Sequence, residues 1–169
     1  MDILVEVLGI TLLSLALVAV LWLDAKKQVP ALPYQKAGAL ITRAEFRFYQ
    51  ALKKALPVGY FLVPKVRIGD VLTVQRGLDR KQALISRSKI QQKHFDFVIC
   101  QESGMQPICC VELQDSSHRR ADRISRDKFV RAACEAAGMP LLEIINRHRY
   151  IKAELKDQIN TVLTTQEAL

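Results

Sequence analysis

Two short apolar segments of the sequence, residues 94–100 and 108–114, each contain an acid where a buried strand would ordinarily be apolar. The acids are Asp96 and Glu112, and Glu112 shares its strand face with Gln114 because alternate residues of a strand point the same way. Carboxylates on neighbouring strands would offer the oxygen ligands that Mg²⁺ or Mn²⁺ prefers, and such an ion commonly serves phosphodiester hydrolysis. Alternatively, both acids are solvated residues at strand ends.

A helix is predicted ahead of these strands. Thr42 and Glu45 have the spacing of a capping box, and Pro57 and Gly59 end the helix that they open. Glu45 is then the N3 partner of the cap, a role that needs no further function.

The remaining pattern predicts an alternation of strands and helices around one core. Pro64 indicates a bulge or an edge in the first strand, and residues 67–91 are predicted to form a basic excursion with a short helix. The order typifies an α/β domain. The predicted segments are a strand at 60–66, strands at 94–100 and 108–114 joined by a hairpin turn at 102–107, a helix at 119–137, a strand at 141–145 and a helix at 149–162.

The N-terminal segment is of a different kind. Residues 3–23 are apolar except for Glu6, Thr11 and Ser14, and at about 1.5 Å per residue they span about 30 Å, the thickness of a hydrocarbon core. Its start lacks the basic residues of a signal peptide, so a transmembrane anchor is expected. The predicted division is an anchor at 3–23, a linker at 24–39, a domain at 40–164 and a tail at 165–169.

Charge around the anchor predicts its orientation. No Lys or Arg precedes the anchor, whereas Lys26, Lys27 and Lys36 follow it closely. The positive-inside rule therefore places the C-terminal domain in the cytoplasm, attached to the inner (plasma) membrane by a single span. In that reducing compartment the four cysteines, which form no C-x-x-C pair, are expected to be buried free thiols.

The domain after the anchor is strongly basic. The whole chain has a net charge of +8, but residues 1–24 hold three of the 17 acids and none of the 25 bases, so the remainder carries +11. Such a domain suits two anionic partners, the phosphates of a nucleic acid and the lipid head groups beside its own anchor. Composition does not distinguish between them.

Several segments carry a family resemblance that covers most of the chain after residue 38. They resemble the bacterial family named domain of unknown function 2726, which in turn is similar to the PD-(D/E)XK nucleases, especially the branch of the very short patch repair endonucleases. The resemblance implies a restriction-endonuclease-like core, a mixed central sheet flanked by helices. The segments are residues 40–46, 92–97, 111–118, 126–129 and 136–142.

The resemblance also implies a set of site residues. Asp96 and Glu112 would hold the Mg²⁺ or Mn²⁺ ion, and Glu45 would be the glutamate that such folds often carry on their first helix. His118 would act as an acid or base, or else is a loop histidine that caps the next helix. Gln114 stands where these nucleases usually have Lys or Asp. A lysine from elsewhere in the sequence, such as Lys93 or Lys128, would then have to replace it.

Three arginines follow at helical spacing. Arg119, Arg123 and Arg126 fall on one face of the predicted helix at 119–137. They suit contacts to a nucleic acid backbone, or they form a solvated face paired with Asp122 and Asp127.

Two functions are consistent with these patterns. The first is a membrane-anchored, metal-dependent nuclease that acts on DNA at the cytoplasmic face. The second is a nuclease-like module without catalytic activity that binds nucleic acid or a protein partner at the membrane.

Overall fold

The computed structural model describes the backbone of residues 2–27, 32–114 and 121–167, and the side chains of residues 3, 5–23, 32–114 and 127–164. The chain divides into two compact units, residues 1–37 and residues 38–169.

The first unit is built on a single helix, α1 (Asp2–Lys27). Within it, Val5–Leu23 has a mean hydropathy of 2.3 and is long and apolar enough to cross a membrane. Its polar side chains are satisfied by the helix itself, since Thr11 Oγ1 donates to the Leu8 carbonyl and Ser14 Oγ to the Thr11 carbonyl. Internal hydrogen bonding of this kind is what a hydrocarbon environment requires.

The second unit alternates helices and strands, as the sequence pattern predicts. Its elements, within the described residues, are α2 (Arg43–Ala55), β1 (Tyr60–Arg67), α3 (Ile68–Val71), α4 (Arg80–Gln91), β2 (His94–Gln101), a 3₁₀ turn (Ser103–Met105), β3 (Gln106–Gln114), α5 (Ala121–Ala136), β4 (Leu141–Ile145) and α6 (Lys152–Glu167).

The strands form one mixed sheet in the order β1-β2-β3-β4. The pairs β1/β2 and β2/β3 are antiparallel, whereas β3/β4 is parallel. A parallel pair needs a crossover rather than a hairpin, and the chain between β3 and β4 contains α5. The prediction of an α/β domain with a mixed sheet flanked by helices, preceded by one apolar helix, is confirmed at this level.

Both faces of the sheet are covered. In β2 and β3, the side chains that point to either face are largely apolar. One face packs against α2 and α6 through Phe97, Ile99 and Val111. The other packs against α3, α4 and α5 through Val98 and Cys110. Continuous apolar strands are typical of a sheet buried on both sides.

All four cysteines are buried free thiols, as expected for a reducing compartment. Burial raises the pKa of Cys109 to about 12, which keeps this thiol protonated. These cysteines therefore act as small core residues.

The region between β1 and β2 is more helical than the sequence predicts. It contains the single turn α3 as well as α4, whose N-cap Asp79 accepts a hydrogen bond from the Gln82 amide. Only Ile90 of α4 is buried, so the apolar period that would identify this helix is weak. The last helix also begins at Lys152, slightly later than predicted.

Candidate functional site

The site lies where β2 and β3 separate. Their last paired residues are Phe97 and Val111, although β2 begins at His94 and β3 continues to Gln114. Continuing the register by one residue sets Asp96 opposite Glu112. The two acids singled out in the sequence therefore stand on adjacent strands at the point of divergence.

Asp96 is held by two hydrogen bonds. Its Oδ2 accepts a hydrogen bond from the Leu113 amide at 3.0 Å. Where the backbone pairing of β2 and β3 ends, this carboxylate oxygen thus replaces a backbone carbonyl as the acceptor. Its Oδ1 accepts from Lys65 Nζ at 2.9 Å. The side chain is 14 % exposed, and both contacts fix its orientation.

Lys65 connects Asp96 to the first helix of the domain. Its Nζ also lies 2.6 Å from Glu45 Oε1, so one ammonium group bridges two carboxylates. Lys65 follows Pro64 and has φ +54°, a left-handed backbone that a side chain other than glycine adopts at a cost. Its strand β1 lies at one edge of the described sheet, in agreement with the prediction from Pro64.

Glu45 forms the predicted cap and also contacts Lys65. As the N3 residue of α2 it accepts from the Thr42 amide through Oε2 at 2.7 Å, which completes the predicted capping box. Through Oε1 it reaches Lys65 and hence the neighbourhood of Asp96. The cap of α2 therefore presents a carboxylate to the site.

Ionisation of this cluster is set by the competition between burial and pairing. Burial by itself would raise the pKa of Glu45, but hydrogen bonds from Lys65 and Thr42 outweigh it and lower the pKa. Burial likewise opposes the charge on Lys65, yet its bonds to Glu45 and Asp96 raise the pKa of the ammonium group. Lys65 is consequently protonated and Glu45 ionised at neutral pH.

Gln114 faces a second polar group. Its Nε2 donates to Glu143 Oε1 at 2.6 Å. Glu143 also accepts hydrogen bonds from Arg131. The Arg131 Nη2 atom lies 2.8 Å from Oε1 of Glu143, and its Nε lies 3.1 Å from Oε2. Because the amide nitrogen must face the carboxylate, the Gln114 side chain is oriented by this chain of contacts from α5 and β4.

The other predicted site residues lie partly outside the described chain. His118 and Arg119 are not among the described residues. Arg123 and Arg126 belong to α5 (Ala121–Ala136), but only their backbone is described. Their predicted roles stay predictions.

A surface cleft of about 530 Å³ opens beside Lys65 and is also lined by Gln92, Lys93 and His94. Lys93 Nζ lies 5.3 Å from the centre of the Phe129 ring, a distance typical of a cation–π contact. The cleft combines cationic and hydrogen-bonding side chains, which suits an anionic ligand such as a phosphodiester.

The donor chemistry fits Mg²⁺ or Mn²⁺. Within the described part of the chain, His, Cys, Asp and Glu side chains form no group of three or more able to enclose a metal. Mg²⁺ needs only one or two carboxylates, with water and phosphate oxygens completing its shell. Asp96 and Glu112 would supply them, and Lys65 would compete for Asp96 Oδ1.

Sequence reasoning missed three members of this arrangement, Lys65, Glu143 and Arg131. The lysines considered as replacements were Lys93, which lines the cleft, and Lys128. A signal for Lys65 was present, because a lysine directly after Pro64 interrupts an otherwise apolar strand. Nothing in the local pattern indicated that Glu143 would contact Gln114.

The sequence matches a protein-family model. The model described as "Protein of unknown function (DUF2726)" matches residues 37–163, most of the chain. Neither the curated proteins nor the solved structures gave a match.

Proposed function

The chain belongs to the DUF2726 family, and from that premise we propose that it is a membrane-anchored nuclease of the PD-(D/E)XK type. It would hydrolyse phosphodiester bonds of DNA with Mg²⁺ or Mn²⁺ on the cytoplasmic side of the inner membrane. The observation that carries the proposal is the bridge from Glu45 through Lys65 to Asp96, beside Glu112 at the diverging ends of β2 and β3.

The order of elements supports this proposal. A helix bearing Glu45 precedes an antiparallel run of three strands, of which β2 bears Asp96 and β3 bears Glu112. A helix and a parallel strand then complete a mixed sheet flanked by helices. This is the arrangement that resemblance to a restriction-endonuclease-like core implies.

Each described residue then has a definite task. Asp96 and Glu112 would hold the ion, which when bound polarises the phosphate and lowers the pKa of an attacking water. Lys65 would act as a cation rather than as a general base, because its bonds to Glu45 and Asp96 raise the pKa of its ammonium group. Its ammonium group beside Asp96 would place a positive charge near the reacting phosphate or water, the task that a lysine at position 114 would otherwise perform.

The first unit supports the proposed anchoring. The apolar helix segment Val5–Leu23 would cross the membrane, and the bases that follow it favour a cytoplasmic domain. DNA is the proposed substrate because the domain is strongly basic and the cleft beside Lys65 has a cationic lining.

A second function is favoured by one observation. Gln114 is uncharged and donates to Glu143, which also accepts from Arg131. If Lys65 does not replace the missing lysine, the domain is a nuclease-like module that binds nucleic acid or a protein partner without cleaving it.

A cleavage assay distinguishes the two functions. Full-length protein in nanodiscs is incubated with single-stranded, double-stranded and nicked DNA and with RNA, in Mg²⁺ and in Mn²⁺. Asp96→Asn, Glu112→Gln and Lys65→Met should each lower cleavage by about a hundredfold or more. Glu102→Gln, an exposed acid in the turn between β2 and β3, is the matched control and should cleave normally.

The outcomes separate cleanly. Metal-dependent cleavage that these three substitutions abolish supports the nuclease. Binding to DNA without cleavage under every condition supports the binding module. Cleavage that survives both Asp96→Asn and Glu112→Gln would show that the proposed site is not responsible.

A further inference from the structure

The exposed face of α2 has an unusual composition. The exposed positions of this helix, spaced by three or four residues along one side, contain four bases and no acid. Within the described part of the chain these bases form no ion pair. We call this set the α2 surface; it consists of Arg43, Phe46, Arg47, Gln50, Lys53 and Lys54.

Apolar groups accompany these charges. Phe46 is 49 % exposed although it is a large aromatic residue, and the preceding Leu40 is 81 % exposed. An apolar cleft of about 440 Å³ adjoins Phe46 and is lined by Ala39 and Ile41. The apolar face of α2 is buried in the core, but basic residues beside exposed Phe and Leu side chains are a combination that suits the head-group region of a membrane.

The basic character extends beyond the helix. A second cleft, of about 330 Å³, adjoins Arg47 and Lys54 and is also lined by His148 and Lys152 near the start of α6. The positive surface is therefore formed by α2 together with residues near the start of α6. The one acid of α2, Glu45, does not offset this charge, because its carboxylate accepts from Lys65 and Thr42.

The chain itself favours one ligand for this surface. Segment 24–42 joins the apolar helix segment Val5–Leu23 to α2 and reaches at most roughly 65 Å when fully extended. If the anchor is embedded in a membrane, the linker keeps the lipid head groups within reach of the α2 surface. The head groups are then present at a high effective concentration relative to this surface. Anionic head groups attract bases near the bilayer, and exposed apolar side chains can enter the head-group boundary.

We propose that the α2 surface docks the domain onto an anionic lipid bilayer, with Phe46 and Leu40 at the head-group boundary and Arg43, Arg47, Lys53 and Lys54 on the lipid phosphates. This rests on the proposed membrane anchoring but not on nuclease activity. The domain is then held at the membrane by two contacts, its anchor and the first helix of its core.

Tryptophan fluorescence tests the docking in the full-length chain. In a Trp22→Phe background, Phe46→Trp places a reporter on the α2 surface, and Leu84→Trp places one at an exposed position of α4 as control. Each protein is incorporated into nanodiscs of phosphatidylcholine with or without phosphatidylglycerol, both containing a brominated lipid as quencher.

The reporter at position 46 should lose intensity and shift to the blue in the anionic nanodiscs, and much less in the neutral ones. Arg43→Ser with Arg47→Ser, or high salt, should reduce the quenching to the level of the position-84 control. Unquenched fluorescence at position 46 in a correctly incorporated protein overturns the proposal. The proposal is also overturned if added DNA changes the fluorescence of the reporter at position 46 while the brominated lipid does not quench it.

Failure of the anchor would look different. A chain that does not incorporate into nanodiscs lacks the proposed anchor, and the docking proposal falls with it. The cleavage assay tests the nuclease activity independently of docking. A protein that docks but does not cleave DNA would contradict only the proposed nuclease activity.

Discussion

Lys65 and Asp96 lie opposite each other on β1 and β2, and Lys65 Nζ is 2.9 Å from Asp96 Oδ1. The same ammonium group is 2.6 Å from Glu45 Oε1. One cation therefore joins the first helix to two strands and neutralises part of the charge of two carboxylates. The stability of the domain and the charge of the proposed site consequently depend on the same residue.

Lys65→Met should destabilise the domain by about 1–2 kcal/mol at neutral pH, because it removes two charged hydrogen bonds from a side chain that is 34 % exposed and so partly screened. Urea unfolding measures the change. The control Lys53→Met, at an exposed position of α2, should cost less than about 0.5 kcal/mol.

The pH dependence of this difference has a definite sign. Glu45 has a pKa below its usual 4.5, so its contribution is present above that pH and is lost as the pH falls further. Lys65 has a pKa above its usual 10.5, so its contribution is lost as the pH rises beyond that value. Wild type and Lys65→Met should thus converge at both extremes, and a constant difference would contradict the bridge.

Mn²⁺ should stabilise the wild-type protein against heat, by about 2.7 kcal/mol when its concentration is a hundred times the dissociation constant. Asp96→Asn or Glu112→Gln should remove most of this gain, whereas Glu102→Gln should keep it. Lys65→Met should tighten the binding of Mn²⁺, because Asp96 Oδ1 loses its competing ammonium group. Equal stabilisation of all variants would show that Asp96 and Glu112 are not ligands.

Gln114→Lys tests the role of position 114. A lysine there would contact Glu143, which already accepts from Gln114 and Arg131, so cleavage should stay near the wild-type level. Combining it with Glu143→Gln should release the new ammonium group and raise kcat/KM on DNA. A large gain from Gln114→Lys alone would mean that Glu143 does not capture the side chain.

Nucleic acid binding should weaken steeply with salt. Arg119→Ala with Arg123→Ala should lower the slope of log K against log salt by about one to two counterions, measured by fluorescence anisotropy of labelled DNA. Arg80→Ala with Arg87→Ala, two exposed bases of α4, serve as the control pair. A slope that changes equally for both pairs would indicate a diffuse positive charge rather than a face.

Membrane insertion can be tested in cells. The full-length protein should sediment with membranes and resist extraction by carbonate, because the apolar segment Val5–Leu23 would be embedded. Protease added to intact spheroplasts should spare the C-terminal domain. Recovery of the protein in the soluble fraction, or digestion of that domain, would reject the anchor or its orientation respectively.

Local chemistry was sufficient to predict much of the fold. Thr42 and Glu45 specify the start of α2 through a capping box, and a continuous apolar run specifies β4 at Leu141–Ile145. Such features depend on neighbours a few residues apart, which the sequence displays directly. The mixed sheet was expected from the family resemblance, and the free thiols from the predicted compartment and the cysteine spacing.

The partners of the site residues depend on tertiary structure. Lys65 reaches Asp96 and Glu45 across 31 and 20 positions of sequence, through a left-handed backbone after Pro64 that no periodicity reveals. Gln114 meets Glu143 only because β3 and β4 pair in one parallel register. A shift of one residue in a strand turns every side chain to the other face. Composition and spacing by themselves therefore determine the elements and the acids of this protein, whereas the register of the folded sheet decides which charges those acids meet.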